Sequence, residues 1–308
     1  MAEFQSGPNL KSKEIVQTRI ERLAAVNERL LARGVIPELL VVTALHSDDG
    51  ITSYIKSLNK LAPKVHAEVT VRNVPDEAVA RRRIEQHNSV PGATMLMVPL
   101  PNRELEPEVL MANRREIEGI TPGSRFVPST PAGMIHMAEY GLGHRLVELP
   151  DPDRDVAVAG FGRSVGQPLV AMLGDMGIDA QVIFDATDPR EYHMMRGRRV
   201  TFSGLGRPGE LGAEQFGDPL GEYSRRFAVD AGVKRVDGAL RGDIDSQSVA
   251  GLYDLMYTPP ASAVGPMNAI TMLERSTYLT AEMAGVLNEF DVAIHSMMGM
   301  RGIHVPVA

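Results

Sequence analysis

The sequence has no cysteine, no excess of basic charge and no long apolar run, and each absence excludes a class of protein. Without cysteine there are no disulfides, thiolate metal ligands or thiol nucleophiles. The 32 Lys and Arg against 39 Asp and Glu residues give a net charge of −7, which argues against a nucleic-acid partner. No apolar run reaches the roughly 18 residues of a membrane span, and the N-terminus lacks the apolar region of a secretory signal. We therefore expect a soluble, cytoplasmic protein with no membrane partner.

The first half of the chain alternates short apolar runs with amphipathic segments. Residues 12–34 have apolar positions at helical spacing, and the apolar run Leu39–Val42 has the composition of a buried parallel strand. The same alternation predicts helices at 51–62 and 76–88 and strands at 67–71 and 94–98. This order is typical of an α/β fold with a mostly parallel sheet.

A second α/β unit is predicted after residues 147–154, where proline and acidic residues interrupt the pattern. Its predicted strands are 156–159, 180–184, 199–202 and 227–229. The chain from Met267 onward has a helical pattern. We therefore expect one domain over 1–150, joined by the C-terminal helix 267–308, and a second domain over 151–266.

A glycine-rich turn follows the strand predicted at 156–159. Gly160, Gly162 and Gly166 stand between that strand and an apolar helix, the order in which a dinucleotide pyrophosphate is bound at a helix N-terminus. Asp185 ends the next strand, where an acid binds the ribose hydroxyls of NAD and repels the extra phosphate of NADP. The alternative is a glycine turn of another α/β protein, with Asp185 as a strand-end cap.

Five segments, taken together, resemble the methylenetetrahydrofolate dehydrogenase/cyclohydrolase family. They occur in the family's order: DGITSY at 49–54, VPLP at 98–101, PSTPAG at 128–133, GDID at 242–245, and TP at 258–259 with VGPM at 264–267. The likeness spans about residues 12–280. It implies two α/β domains flanking a cleft, the second a Rossmann-type NAD(P)-binding domain. It also implies a tetrahydrofolate derivative as substrate and a homodimer formed through the cofactor domain.

The chain departs from the family where the hydrolase chemistry is carried out. Leu58 stands where the family has a lysine, and Met97 where it has a glutamine. Lys56 and Lys60 lie about 200° and 240° around the helix from Tyr54, so neither lysine reaches the position of Leu58. Glu118 replaces the family's aspartate, and the P-G-G before V-G-P-M becomes Ala-Ser-Ala at 261–263. The resemblance therefore predicts a dehydrogenase whose cyclohydrolase activity is lost or very weak.

The resemblance assigns the site residues in three groups. The catalytic positions are Tyr54, Leu58, Met97 and Glu118. The substrate-binding residues are Tyr54, Glu118, Val264, Gly265 and Pro266. The cofactor-binding residues are Gly160, Phe161, Gly162, Arg163, Ser164, Gly166, Asp185, Gly206, Val233 and Asn268. No metal site is expected, because His46, His136 and His144 lack metal-ligand spacing.

Simpler interpretations of these residues remain open. Leu58 and Met97 have the character of ordinary core residues, Tyr54 is also explained as an aromatic near a helix start, and Glu118 as a solvated carboxylate. In the cofactor loop, either Phe161 or Arg163 aligns with the arginine with which many family members bind NADP. Three hypotheses follow: an NAD-dependent methylenetetrahydrofolate dehydrogenase, an oxidoreductase of this fold with another small substrate, and a non-catalytic nucleotide-binding relative.

Overall fold

The computed structural model describes residues 11–44, 49–89, 95–97, 116–119, 124–217, 225–259 and 262–287. Their contacts divide them into two units. The three-stranded unit consists of the described residues of 14–129 and 267–287, and the five-stranded unit of those of 11–13 and 130–266. The domain bounds expected from the sequence, with a boundary at 147–154, stay a prediction, whereas these contacts change unit at Thr130 and after Pro266.

The three-stranded unit is built on a parallel sheet with strand order β2-β1-β3. Its strands are β1 (Glu38–Ala44), β2 (Glu68–Val74) and β3 (Met95–Met97). Its helices are α1 (Lys13–Leu31), α2 (Asp49–Leu61), α3 (Glu77–Ser89) and the later part of a long C-terminal helix, Val264–Met283. The central strand β1 is an apolar run because neighbours flank it on both sides, and Leu39, Val41 and Val42 are almost completely buried.

A buried ion pair joins the first helix of this unit to the last. The Arg19 guanidinium binds the Glu274 carboxylate through two nitrogens, one of them at 2.8 Å, and also donates to Thr271 Oγ1 at 2.8 Å. Both partners are buried, so each charge relies on the other for the interactions that water would supply. This pair connects residues that are 255 positions apart in the chain.

The five-stranded unit has a parallel sheet with strand order β10-β7-β6-β4-β5 and a separate antiparallel hairpin, β8–β9. Its strands are β4 (Val156–Ala159), β5 (Gln181–Ile183), β6 (Val200–Ser203), β7 (Arg226–Asp230), β8 (Lys234–Val236), β9 (Ala239–Arg241) and β10 (Leu255–Tyr257). Its helices are α4 (Ser129–Leu142), α5 (Pro152–Asp155), α6 (Gly166–Asp175), α7 (Pro189–Tyr192) and α8 (Ala213–Phe216), and the C-terminal helix is α9.

The order of these strands places a crevice at one end of the sheet. The chain leaves β4 toward β5 on one side and later returns to β6 on the other side of β4. At such a switch point the loops after neighbouring strands diverge, and ligands of doubly wound folds bind at the carboxyl ends of those strands. The predicted α/β class with parallel sheets is thereby confirmed.

Both predicted bounds of the C-terminal helix, 267–308, are corrected by the structure. Helix α9 begins at Val264, so Val264, Gly265 and Pro266 form its first turn instead of a loop, and it ends at Met283, where a turn follows with Gly285 at φ +70°. Proline is compatible with this position because first-turn amides have no partner within the helix. Among the described helices, none is both long and apolar enough to cross a bilayer.

Candidate functional site

The glycine turn after β4 has the backbone geometry of a close helix–strand junction. Gly160 has φ +92°, in the left-handed region, and its N–H donates to the Ile183 carbonyl at 2.8 Å. A Cβ on Gly166 would lie 2.1 Å from the Gly160 carbonyl oxygen, so a larger residue would displace α6. Around Gly162, by contrast, a Cβ would meet no atom within 4 Å. Two glycines are therefore required by the turn itself, while the third faces open space.

The N-terminus of α6 is suited to an anionic ligand. The helix begins at Gly166, and its N-cap residue Val165 provides no side-chain hydrogen bond to the first turn. The first amides of a helix have no intrahelical acceptor and carry partial positive charge. Gly162 and Arg163 are exposed beside this terminus. The Gln167 N–H donates to the Gly162 carbonyl at 3.0 Å, and Pro168 has no N–H. The Gly166 N–H and the positive end of the helix dipole, beside the open side of Gly162, are therefore what this terminus offers to the pyrophosphate of a dinucleotide.

Asp185 lies next to this turn, at the carboxyl end of β5. Its Oδ1 accepts hydrogen bonds from the Thr187 N–H at 2.9 Å and the Thr187 hydroxyl at 2.7 Å. These two bonds lower the pKa of Asp185, with a smaller contribution from Arg207. The carboxylate is exposed and ionised at neutral pH, so it is able to accept hydrogen bonds from ribose hydroxyls.

A buried carboxylate pair shapes the opposite side of the crevice. Asp243 accepts from the Ser203 hydroxyl at 2.7 Å and from the N–H groups of Leu205 and Arg207 at 2.9 and 2.7 Å. It thereby fixes the loop after β6, which includes Gly206. The sequence suggested no role for Asp243 beyond the family motif, because its partners lie 36 to 40 positions away.

The second member of the pair, Asp230, fixes the loop after β7. It accepts from the Gly232 N–H at 2.7 Å and the Ile244 N–H at 3.0 Å. Burial, and then the neighbouring charge of Asp243, raise the pKa of Asp230 to about 8. Val233, which follows this turn, is half-buried.

In the three-stranded unit, α2 orients Tyr54 and Leu58 inward. Tyr54 is half-buried, and its hydroxyl is buried and has no hydrogen-bond partner among the described residues. Leu58 is completely buried, whereas Lys56 and Lys60 on the same helix are exposed. The helix thus presents an aromatic ring and an aliphatic side chain on the face where the family has a lysine.

Glu118 belongs to a short segment that Arg275 of α9 holds in place. The Arg275 guanidinium donates to the carbonyl oxygens of Ile117 at 2.7 Å and Val127 at 2.8 Å, and it stacks on the Phe126 ring at 4.8 Å. The Ser129 N–H donates to the Glu118 carbonyl at 2.9 Å. Arg275 was not identified from the sequence, because nothing local connects it with a segment about 150 residues earlier.

Glu116 supports the same segment from its other side. Its Oε1 accepts from the Gly119 N–H at 2.5 Å. Gly119 has φ +82°, and a Cβ there would lie 2.2 Å from the Val127 carbonyl oxygen. The segment that carries Glu118 is therefore fixed at both ends by backbone hydrogen bonds to charged side chains.

These charges act on the Tyr54 hydroxyl. Burial is the main reason that the pKa of Tyr54 is raised well above its usual value, and the negative charge of Glu118 raises it further, while Arg275 lowers it. Burial also lowers the pKa of Arg275 to about 10, against the attraction of Glu116. At neutral pH the phenol is neutral and the guanidinium is charged, so Tyr54 can donate a hydrogen bond but is a poor proton acceptor.

The remaining predicted residues are placed as follows. Met97 is the last residue of β3 and pairs with Val41 of β1. Asn268 is half-buried in α9, just after the first turn formed by Val264, Gly265 and Pro266. Residue 261, residues 98–101 and His46 lie outside the described residues. Within the described part of the chain, no three His, Asp or Glu side chains are grouped for a metal ion.

Comparison with known proteins identifies relatives along most of the chain. The bifunctional protein FolD of Macrococcus caseolyticus is 28% identical over 292 residues, which cover 89% of this chain and 98% of the relative. The Trypanosoma brucei methylenetetrahydrofolate dehydrogenase-cyclohydrolase, solved with NADP and an inhibitor, has a TM-score of 0.73 at 19% identity, covering 90% of this chain and 97% of that one.

A third relative is the NAD-dependent 5,10-methylenetetrahydrofolate dehydrogenase of Saccharomyces cerevisiae. It has a TM-score of 0.66 at 14% identity, covering 91% of this chain and 99% of that one. At such identities the two solved structures establish a shared fold. The family description "Tetrahydrofolate dehydrogenase/cyclohydrolase, NAD(P)-binding domain" matches residues 128–284, which is about half of the chain. This chain therefore belongs to the tetrahydrofolate dehydrogenase/cyclohydrolase family.

Proposed function

We propose that this protein is an NAD-dependent methylenetetrahydrofolate dehydrogenase with little or no cyclohydrolase activity. The observation that carries the proposal is the contrast between the glycine turn of the five-stranded unit and helix α2 of the three-stranded unit. The glycine turn and α6 retain an open anion-binding geometry, whereas the position of the family's hydrolase lysine is occupied by the fully buried Leu58.

The five-stranded unit contains residues suited to holding the cofactor. The Gly166 N–H at the start of α6 and the open side of Gly162 would receive the pyrophosphate, and Asp185 would accept hydrogen bonds from the adenosine ribose. When bound, NAD supplies the acceptor for a hydride ion. The ionised Asp185 favours NAD over NADP, because a ribose 2′-phosphate would be repelled by the carboxylate. The fold itself does not decide between them, since the two solved relatives use different cofactors.

The three-stranded unit contains residues suited to holding the folate. Tyr54 is half-buried and supplies an aromatic ring for stacking, and Glu118 is half-buried on a fixed segment. We assign Glu118 to the amino and ring N–H groups of the pterin. The resemblance also assigns Val264, Gly265 and Pro266 to the substrate, and these residues form the first turn of α9 within the five-stranded unit. Positioning two flat rings against each other is the main requirement of hydride transfer.

The proposed reaction needs no proton-transferring side chain. A C–H bond of the bridging methylene carbon breaks, its electron pair and hydrogen leave together as hydride, and the adjacent nitrogen lone pairs stabilise the resulting amidinium cation. Hydrolysis of that cation, by contrast, requires proton transfer to and from water. Leu58 cannot move a proton, and the exposed Lys56 and Lys60 lie on other faces of α2. The dehydrogenase step therefore survives the substitutions that remove the hydrolase step.

The test is the NAD-dependent formation of methenyltetrahydrofolate from the methylene form by the purified protein. We expect turnover in the wild type and near abolition in Glu118→Ala, because losing a charge-assisted hydrogen bond costs about 1.5–3 kcal/mol. Glu68→Ala, which removes an exposed carboxylate from β2, is the matched control and should retain turnover. NAD binding without any folate binding would refute the folate assignment.

Of the two alternatives, the first has specific support. The buried Leu58 beside the neutral Tyr54 hydroxyl is also compatible with a pocket adapted to a different small substrate of an oxidoreductase. A nucleotide-binding relative without catalysis would bind NAD and transfer no hydride to it.

We further propose a homodimer formed through the cofactor domain, which light scattering of the purified protein would test.

A further inference from the structure

A single carboxylate oxygen accepts the hydrogen bonds of two backbone amides at the carboxyl end of β5. Glu191 Oε2 accepts hydrogen bonds from two consecutive backbone N–H groups, those of Phe184 at 2.7 Å and Asp185 at 2.9 Å. Consecutive amides that converge on one point form an anion-binding concavity. In this chain the anion in that concavity is the side chain of Glu191.

This concavity adjoins the glycine turn. The Gly160 N–H donates to Ile183, the residue before Phe184, and the Phe161 and Phe184 rings meet edge to face with centroids 5.3 Å apart. Asp185, to which we assign the adenosine ribose, supplies one of the two amides. A phosphate on that ribose would therefore approach the two amides that Glu191 already occupies.

We propose that Glu191 is a specificity-determining residue that excludes a ribose 2′-phosphate by filling its anion site. This inference rests on the proposed use of NAD and adds a second residue to Asp185. The two carboxylates act differently: Asp185 offers acceptors to the ribose hydroxyls, whereas Glu191 occupies the donors that a phosphate would need. A 2′-phosphate thus meets two negative charges, and the Phe184 and Asp185 amides already donate to Glu191.

Two of the three nearby arginines pair with other carboxylates. Arg190 pairs with Asp188 at 2.7 Å, and Arg207 pairs with Glu210 at 3.1 Å. A phosphate that recruited either residue would have to draw it away from its partner, which reduces what that guanidinium could contribute to NADP binding. The third, Arg163, is exposed in the glycine turn.

The experiment compares Glu191→Gln and Glu191→Ala with the wild type by calorimetric titration of the full chain with NAD and NADP. Glutamine keeps an oxygen acceptor for the two amides but removes the charge, and alanine vacates the concavity. Asp175→Asn, which removes an exposed charge at the far end of α6, is the matched control. Titrations with adenosine 5′-monophosphate and adenosine 2′,5′-bisphosphate isolate the effect of the 2′-phosphate from the nicotinamide half.

We expect both Glu191 variants to bind NADP and the bisphosphate about fivefold more tightly, which corresponds to about 1 kcal/mol for removing one repulsive charge. NAD affinity and melting temperature should change little in Glu191→Gln, and Asp175→Asn should match the wild type throughout. A ratio of NADP to NAD affinity that stays at the wild-type value in both Glu191 variants, while NAD still binds, overturns the role of Glu191 and leaves the proposed function intact.

Two further outcomes also decide the matter. An equal loss of NAD and NADP affinity in Glu191→Gln would make Glu191 a purely structural anchor of the β5 end and overturn the inference. A wild type that binds neither dinucleotide, or that binds NADP at least as tightly as NAD, overturns the proposed cofactor use and this inference with it.

Discussion

The guanidinium of Arg275 donates a 2.7 Å hydrogen bond to the carbonyl oxygen of Ile117, the residue immediately before Glu118. A side chain of the C-terminal helix thereby fixes the backbone of the segment to which we assign pterin recognition. A second bond to Val127 and the stacking on Phe126 leave the guanidinium little freedom. We regard Arg275 as a positioning residue for Glu118.

Arg275→Lys should weaken folate binding about tenfold and lower the melting temperature. Lysine lacks the planar fork that reaches two carbonyls at once, and a buried carbonyl left without a donor costs about 1–3 kcal/mol. NAD affinity should not change, because the glycine turn belongs to the other unit. Separate titrations with tetrahydrofolate and NAD measure both effects, and Arg29→Lys on the exposed face of α1 serves as control. Unchanged folate binding would contradict the positioning role.

The wild type should not accelerate the loss of methenyltetrahydrofolate above the buffer rate. Leu58 is buried and aliphatic, and Lys56 and Lys60 are exposed on the same helix. The decay of methenyl absorbance with and without enzyme measures this directly. If the enzyme does accelerate the decay, Lys56→Ala and Lys60→Ala show whether either lysine has taken over the proton transfer.

Asp185→Ser should narrow the difference between NAD and NADP affinity. We expect the wild type to bind NAD at least tenfold more tightly than NADP, equivalent to about 1.4 kcal/mol. Serine removes the charge that the Thr187 hydrogen bonds keep ionised, and with it the repulsion of a 2′-phosphate. Calorimetry of both cofactors provides the measurement. Equal or tighter binding of NADP by the wild type would show that the premise is wrong.

The Asp230–Asp243 pair should make stability depend on pH between about 4 and 8. In the folded chain the pKa of Asp230 is raised from 3.8 to about 8, so the folded state holds a proton that the unfolded chain has released. The free energy of unfolding therefore falls as pH rises through this range, by at most about 1.4 kcal/mol per pH unit. Well above pH 8, Asp230 is ionised in both the folded and the unfolded chain, so its contribution to the free energy of unfolding no longer changes with pH.

Urea unfolding at several pH values between 5 and 9 tests this dependence. Asp230→Ala should be less stable overall, because the Gly232 and Ile244 amides lose their acceptor, yet its stability should vary less with pH. Asp175→Ala, an exposed aspartate, should keep the wild-type slope. A wild-type slope in Asp230→Ala would place the retained proton on another group.

The strands of both units were largely predictable, because parallel strands covered on both faces need unbroken apolar runs. Leu39–Val42 and Val156–Ala159 have this character, and both lie in central strands. The edge strand β10 and the β8–β9 hairpin were not predicted. Each is only three residues long, and the hairpin strands Lys234–Val236 and Ala239–Arg241 also contain basic residues. The apolar run of β10, Leu255–Tyr257, is too short to distinguish a strand from other buried structure.

Within the candidate site, the glycine turn and Asp185 were predictable because their geometry is local to one strand–turn–helix unit. The start of α9 was misplaced because Gly265 and Pro266 resemble a loop when considered without their neighbours, although both suit a first helical turn. Arg275, Asp243 and Glu191 were missed for a common reason. Each of them binds backbone N–H or C=O groups of another segment. Because every residue except proline carries the same backbone groups, the sequence of the partner segment does not indicate that it is bound.

The buried Arg19–Glu274 pair has a consequence for the order in which the chain matures during synthesis. Arg19 is synthesised 255 residues before its partner. Until Glu274 has left the ribosome, Arg19 lacks the buried carboxylate with which it pairs, and the inner face of α1 must stay solvated. The three-stranded unit therefore completes its core only after the five-stranded segment between these two residues has been made.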